Sequence, residues 1–240
     1  MCLLVLAAIF LSSNWGIYIW AVNRGHTIEA SMGYYINPLV SVFLGLIFFR
    51  ERLRPLQWAA VVIAFIGVTM LTIMSGTVPW ISLSLAFTFG IYALLKKKTP
   101  LAALESLGAE TLVSVPISLF LLSFSFPNAD INHPVFSGLR GFEYMGALPV
   151  YVWILLALCG MVSALPLYWF ALGAKLLPLS TLGFMQFISP TLQFALGLFV
   201  FGENFPPHHF AAFGIIWIAV ILYIISLKPG KSNLKTVRNG

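Results

Sequence analysis

Hydrophobic residues along this chain gather into long runs, and the charged and turn-forming positions fall between them. A helix crossing about 30 Å of hydrocarbon at about 1.5 Å per residue needs roughly 20 apolar residues. Eight runs fit that ruler: residues 3–22, 30–49, 56–74, 80–95, 107–126, 149–174, 181–201 and 210–227, the fourth being the shortest. Most connecting segments are too short to hold a soluble domain. The pattern predicts an all-α membrane protein of about eight transmembrane helices. The first run lacks a basic leader and stays apolar as far as Trp20, so it is expected to be a retained span and not a cleaved signal.

Numbering the two sides alternately places eleven of the 13 Lys and Arg residues on one side: Arg50, Arg52, Arg54, Lys96, Lys97, Lys98, Lys175, Lys228, Lys231, Lys235 and Arg238. Only Arg24 and Arg140 fall on the other. Basic loops stay cytoplasmic, so both termini are expected there, with 229–240 as a basic cytoplasmic tail. Lys96, Lys97 and Lys98 are read as a topological signal in preference to a headgroup or nucleic-acid patch.

Composition agrees. Hydrophobic residues make up 60% of the chain, charged residues 8%, and the mean hydropathy is +0.97. A soluble domain carries about 25% charged residues. An ordinary soluble enzyme, a disordered tail and a nucleic-acid-binding module are thereby excluded, and the lipid bilayer is the first partner. Cys2 and Cys159 lie inside apolar runs, and His26, His133, His208 and His209 fall in loops without the helical spacing of a zinc protease. No Gly-rich loop with a following Lys cradles a nucleotide. No metal, no cofactor and no ATP-driven step is expected.

The chain matches itself without gaps at an offset of 152 residues. Asn37-Pro38 lies over Ser189-Pro190, Leu44-Gly45-Leu46 over Leu196-Gly197-Leu198, Glu51 over Glu203, Pro55 over Pro207, and Ala59-Ala60 over Ala211-Ala212. The aligned Pro, Gly and Glu carry this duplication, since Leu and Ile coincidences are cheap here. Runs one to three correspond to runs six to eight, an advance of five crossings. A unit repeated after an odd number of crossings sits upside down relative to its copy, as in many secondary transporters. Residues 1–79 then form the end of a first repeat and 80–228 a second. Two helices matching the fourth and fifth runs should precede the first.

Asn14-Trp15-Gly16-Ile17-Tyr18-Ile19-Trp20-Ala21-Val22-Asn23 and Glu29-Ala30-Ser31-Met32-Gly33-Tyr34-Tyr35-Ile36-Asn37-Pro38 resemble the RarD-type permeases of the EamA branch of the drug/metabolite transporter superfamily. Ser180-Thr181-Leu182-Gly183-Phe184, Gly202-Glu203 and Glu110-Thr111-Leu112 with Pro116 extend the likeness, which runs over most of residues 12 to 225. The resemblance implies a bacterial inner-membrane permease of two inverted five-helix halves, of which this chain is an eight-helix remnant lacking the first two helices. Truncation, and inactivity of the chain alone, is one open alternative. Members are commonly named chloramphenicol-sensitivity proteins, a label that does not establish the solute.

A carrier needs polar groups at mid-membrane, where each is costly and therefore scarce. Glu110 is the acidic residue that falls inside a run, and a carboxylate in low dielectric is a candidate to bind and release a proton as access alternates. The bland alternative is that Glu110 reaches the headgroup zone or binds a backbone amine. Pro38 and Pro190 occupy matched positions and predict paired helix kinks, each removing a backbone bond. Around them Tyr34, Tyr35, Asn37, Gln186 and Gln193, with Asn14 and Trp15 from the first run, are the candidate solute contacts. A packing kink without ligand, and an interhelical bond for Asn14, are the plainer readings. Gly33, Gly45, Gly183 and Gly197 are read as close-packing positions. Glu51 either pairs with an Arg or caps a neighbouring helix.

The reading is a secondary carrier of a small organic solute, metabolite or drug, working by alternating access with a proton or solute gradient as driver. A membrane subunit without transport and an intramembrane enzyme are the rivals, and the enzyme would need two convergent titratable groups where the sequence offers Glu110. A homodimer that replaces the missing helices is left open.

Overall fold

A computed structural model of the chain describes residues 2–74, 80–123, 148–200 and 207–227. Among these residues the backbone forms nine α-helices and no strand: α1 (Cys2–Asn23), α2 (Thr27–Phe48), α3 (Pro55–Met74), α4 (Trp80–Lys98), α5 (Ala103–Ser123), α6 (Val150–Leu176), α7 (Leu179–Gln186), α8 (Ile188–Phe199) and α9 (Pro207–Leu227). Each predicted run has its helix, except that the seventh is divided into α7 and α8 at Phe187. The basic tail 229–240, most of the 127–148 connection with Arg140 and His133, and Glu203 lie outside the described residues.

Helix is the expected answer for apolar segments in lipid, because every backbone polar group must be satisfied within its own span. Among the described residues, five helices, α1, α2, α3, α6 and α9, contain segments long and apolar enough to cross a membrane. Their outward faces carry large hydrophobic side chains; in α6 only Ala171 and Ala174 are buried. The chain is an all-α membrane protein.

Turn chemistry fixes the short connections. After α1, Gly25 adopts φ +81°, while the His26 N–H donates to the Ala21 carbonyl at 2.8 Å and the Gly25 N–H to Val22 at 3.2 Å. This is a Schellman closure, which favours glycine at its left-handed position. After α2 the turn is wider: Arg50 takes φ +51°, and the Phe49 and Glu51 N–H groups both donate to the Gly45 carbonyl, at 3.1 and 3.3 Å.

The helices group into two compact units, one of Met1–Ser12 with Leu95–Leu176, the other of Ser13–Leu94 with Leu177–Gly240. In the first, α5 packs on α6, Ser12 donates to Ser114 at 3.2 Å, and the Lys175 ammonium donates to the Thr99 carbonyl at 3.0 Å. In the second, α3 runs along α9 and α2 along α7. Both pairs join segments that match one another at the 152-residue offset. Ala60, Ala64 and Val68 of α3 meet Ala212, Ile216 and Ala219 of α9, and Gly67 sits so close that a Cβ would lie 2.8 Å from the Ile216 side chain. Small residues at matched positions let the two backbones approach, which is how helices gain contact where lipid supplies no hydrophobic drive.

Candidate functional site

The site grows from the crossing of α2 and α7. Gly183 of α7 lies against the Pro38 carbonyl; a Cβ there would come within 2.7 Å of that oxygen and 3.0 Å of the Ser41 side chain. This contact brings together Asn37, next to Pro38, and Gln186, one turn beyond Gly183. The Asn37 side-chain nitrogen donates to the Gln186 side-chain oxygen. Asn37 stands near the middle of α2, far from either end. The Tyr35 hydroxyl donates to the Pro190 carbonyl at 3.2 Å, and its ring meets Phe213 edge-on at 5.4 Å.

The two prolines behave differently. α2 runs on through Pro38, whereas the second copy breaks into α7 and α8 at Phe187, close before Pro190. Pro190 has no N–H to offer the Gln186 carbonyl, so the chain tightens there, with the Phe187 N–H reaching back to Phe184 at 3.2 Å.

Beside Asn37 lies a cavity of about 40 Å³ lined by Asn14, Gly33, Tyr34, Asn37, Leu85 and Phe89, among others. It has room for about one or two waters. Asn14 donates to the Leu85 carbonyl and to the Thr88 hydroxyl, both at 2.8 Å, so it ties α1 to α4 as well as facing the cavity. Tyr34 meets Tyr18 edge-on at 6.0 Å. Of the candidate contacts, Asn14, Tyr34 and Asn37 converge here and Gln186 joins through Asn37. Trp15 is 47% exposed and outside the lining, Tyr35 turns toward Pro190, and the Gln193 side chain lies outside the described residues. Three buried polar atoms at this crossing have no partner among the described residues: Asn37 Oδ1, Gln186 Nε2 and Ser41 Oγ. Leaving each unmet costs about 1–3 kcal/mol. A larger groove of about 600 Å³ between α2, α3 and α4 is lined by apolar side chains such as Phe43, Trp58, Phe65 and Phe87, and offers little to orient a solute.

Glu110 occupies a second polar centre. Its side chain is 1% exposed, its two oxygens accept from the Lys96 ammonium at 2.8 and 2.9 Å, and Ser106 donates to it at 2.9 Å. The Lys96 side chain is fully buried. Lys96 thus differs from a solvated basic residue: in the last turn of α4 it faces α5, and a buried carboxylate holds its counter-ion there. Lys97 instead donates to the Ala174 carbonyl at 3.3 Å.

Glu51 resolves to a cap. It accepts from the Leu179 N–H at 2.6 Å, the Ser180 N–H at 2.9 Å and the Ser180 hydroxyl at 2.6 Å. A carboxylate there meets the free N–H groups and the positive end of α7. Gly45 makes room, since a Cβ would lie 2.8 Å from Glu51 Oε2. Gly33, Gly45 and Gly183 are thus all close-packing positions.

With this geometry in place, relatives can be compared. The model of the EamA-like transporter family matches residues 1–73. Protein RarD of Streptomyces exfoliatus is 44% identical over 220 residues, covering 92% of this chain and 66% of that protein. An uncharacterized transporter of Pseudomonas aeruginosa is 43% identical over 221 residues, 91% of this chain and 70% of its own length. Protein RarD of Escherichia coli is 38% identical over 223 residues, 93% and 71% respectively. The chain belongs to the RarD-type branch of the EamA-like transporter family. It spans about two thirds of the length of these RarD-type relatives. A solved crystal structure of a protein at 18% identity aligns over 95% of this chain and 78% of that one with a TM-score of 0.63, a likeness of fold alone.

Within this RarD-type chain, two residues escaped the sequence reading. Ser41 is buried and unpartnered one turn beyond Asn37, on the same helical face, and the Asn37 to Ser41 spacing was the available signal. Glu29, in the first turn of α2, is 8% exposed; one oxygen contacts His26 Nδ1 at 3.0 Å and the other is buried without a partner among the described residues.

Proposed function

We propose that the chain is a secondary carrier of a small organic solute, seated in a bacterial inner membrane with both termini in the cytoplasm, and that it works by alternating access between two inverted halves. The observation that carries this reading is the polar crossing at the middle of α2, where Asn37, Gln186 and Ser41 hold unmet hydrogen-bonding atoms inside an otherwise apolar span. Such atoms cost stability and return it when a solute meets them, which lets a solute favour one arrangement of the helices over another. Membership of a transporter family points the same way and away from an enzyme.

Glu110 is the proposed proton carrier. Protonation removes its charge and with it the Lys96 ion pair, so the α4–α5 turn would be tied in one state and loosened in the other. The chain reconstituted in liposomes loaded with a bacterial metabolite extract should exchange solutes with the outside, followed by mass spectrometry, and Asn37→Ala and Gln186→Ala should abolish the exchange. Exchange that is indifferent to both substitutions would overturn this site. Glu110→Gln should remove the pH dependence of that exchange, and unchanged pH dependence would remove Glu110 from the role.

A further inference from the structure

Two facing carboxamides can make two hydrogen bonds, one in each direction. Asn37 and Gln186 make one, from the Asn37 nitrogen to the Gln186 oxygen, leaving an acceptor at Asn37 Oδ1 and a donor at Gln186 Nε2 buried and unmet. Exchanging oxygen and nitrogen in both amides reverses the bond and leaves the same remainder, one acceptor and one donor. Ser41, one turn along α2 and fully buried, adds an unmet hydroxyl. Asn37 is 6% exposed and shares its cavity wall with the rings of Tyr34 and Phe89. Among the described residues, no Asp, Glu, Lys, Arg or His lines that cavity.

We propose that this crossing recognises a neutral carboxamide group on a small aromatic or otherwise apolar molecule, which inserts between Asn37 and Gln186 and replaces their mutual bond. The inference rests on the carrier reading and names its substrate class. A primary carboxamide presents a donor and an acceptor on one plane, the complement of the unmet pair. A carboxylate offers acceptors only and brings a charge into the span. A ketone or ester has no donor and leaves Asn37 Oδ1 unmet.

The cavity of about 40 Å³, walled by α1, α2 and α4, holds only about a water or two, so a ligand that inserts between Asn37 and Gln186 requires α2 and α7 to part. The Asn37–Gln186 bond ties those two helices together beside the close contact of Gly183 with Pro38. Substrate exchanges that direct tie for a bridged one, which couples occupancy to the spacing of α2 and α7.

The test uses the chain in lipid nanodiscs and matched pairs that differ by an amide nitrogen for a methyl: benzamide and acetophenone, nicotinamide and 3-acetylpyridine, 3-phenylpropanamide and 4-phenylbutan-2-one. Dissociation constants come from tryptophan quenching and from thermal stabilisation. The carboxamide of at least one pair should bind about ten- to a hundredfold more tightly than its ketone. That preference should vanish in Asn37→Leu and in Gln186→Leu, each checked for native helix content by circular dichroism. Should either fail to fold, Asn37→Ser and Gln186→Ser, which stay polar but shorten the reach, should lose the preference in its place. Equal binding within every pair, or a preference that survives these substitutions, overturns the inference. Solute exchange in liposomes without carboxamide preference sinks this proposal and leaves the carrier; preference without exchange sinks the carrier and leaves the binding site.

Discussion

Replacing Lys96 by Met removes the ammonium that both Glu110 oxygens use, at 2.8 and 2.9 Å, from a pair whose side chains are 0% and 1% exposed. Glu110 keeps the Ser106 hydroxyl at 2.9 Å but is left a buried carboxylate without its counter-ion. Breaking one partner of a buried pair costs about 3–5 kcal/mol, while replacing both with apolar side chains of similar volume is often neutral or stabilising by about 1–4 kcal/mol. Lys96→Met should therefore lower the unfolding free energy by about 3–5 kcal/mol, and the double variant Lys96→Met with Glu110→Leu should recover most of that loss. Thermal and denaturant-induced unfolding of the purified chain in detergent, followed by helix content, measures both. A single variant as stable as the parent, or a double variant no better than the single, would refute the reasoning that these charges are buried and mutually dependent.

Removing the cap in Glu51→Ala frees the Leu179 and Ser180 N–H groups and should cost about 0.5–2 kcal/mol in the same unfolding assay; an unchanged midpoint would show that α7 does not depend on that carboxylate. Gly183→Ala forces a methyl to within 2.7 Å of the Pro38 backbone oxygen, and overpacking of this kind costs about 1–3 kcal/mol, whereas Gly108→Ala, with nothing within 4 Å, should be neutral or slightly stabilising. Equal melting temperatures for the two alanine variants would contradict the close crossing.

Helix existence was readable from the chain because span length and apolar composition are local properties: the runs at 56–74 and 210–227 became α3 and α9 with boundaries shifted by a residue or a few. The self-match at 152 residues was readable too, since Pro, Gly and Glu recur in register. Asn37, Gln186 and Glu110 stood out because polar residues are scarce in apolar runs. Their partners were another matter. Pro38 and Pro190 look alike in sequence, yet only the second sits beside a helix break, because a proline states which bond is missing and not how the helix adjusts around it.

The amino-acid sequence by itself determined that this is a multi-pass helical membrane chain of RarD type, because hydropathy and motif need no knowledge of which helix touches which. Tertiary structure alone decided that Lys96 leaves the company of Lys97 and Lys98 to neutralise Glu110, that Glu51 caps α7 in preference to pairing with Arg, and that Asn37 meets Gln186 while leaving one donor and one acceptor unmet. The last two pairings span well over a hundred residues of sequence and Lys96 with Glu110 a tight turn. Pairing depends on the close approach of backbones at glycines such as Gly183 and on which side of a turn a side chain emerges, and hydropathy carries neither.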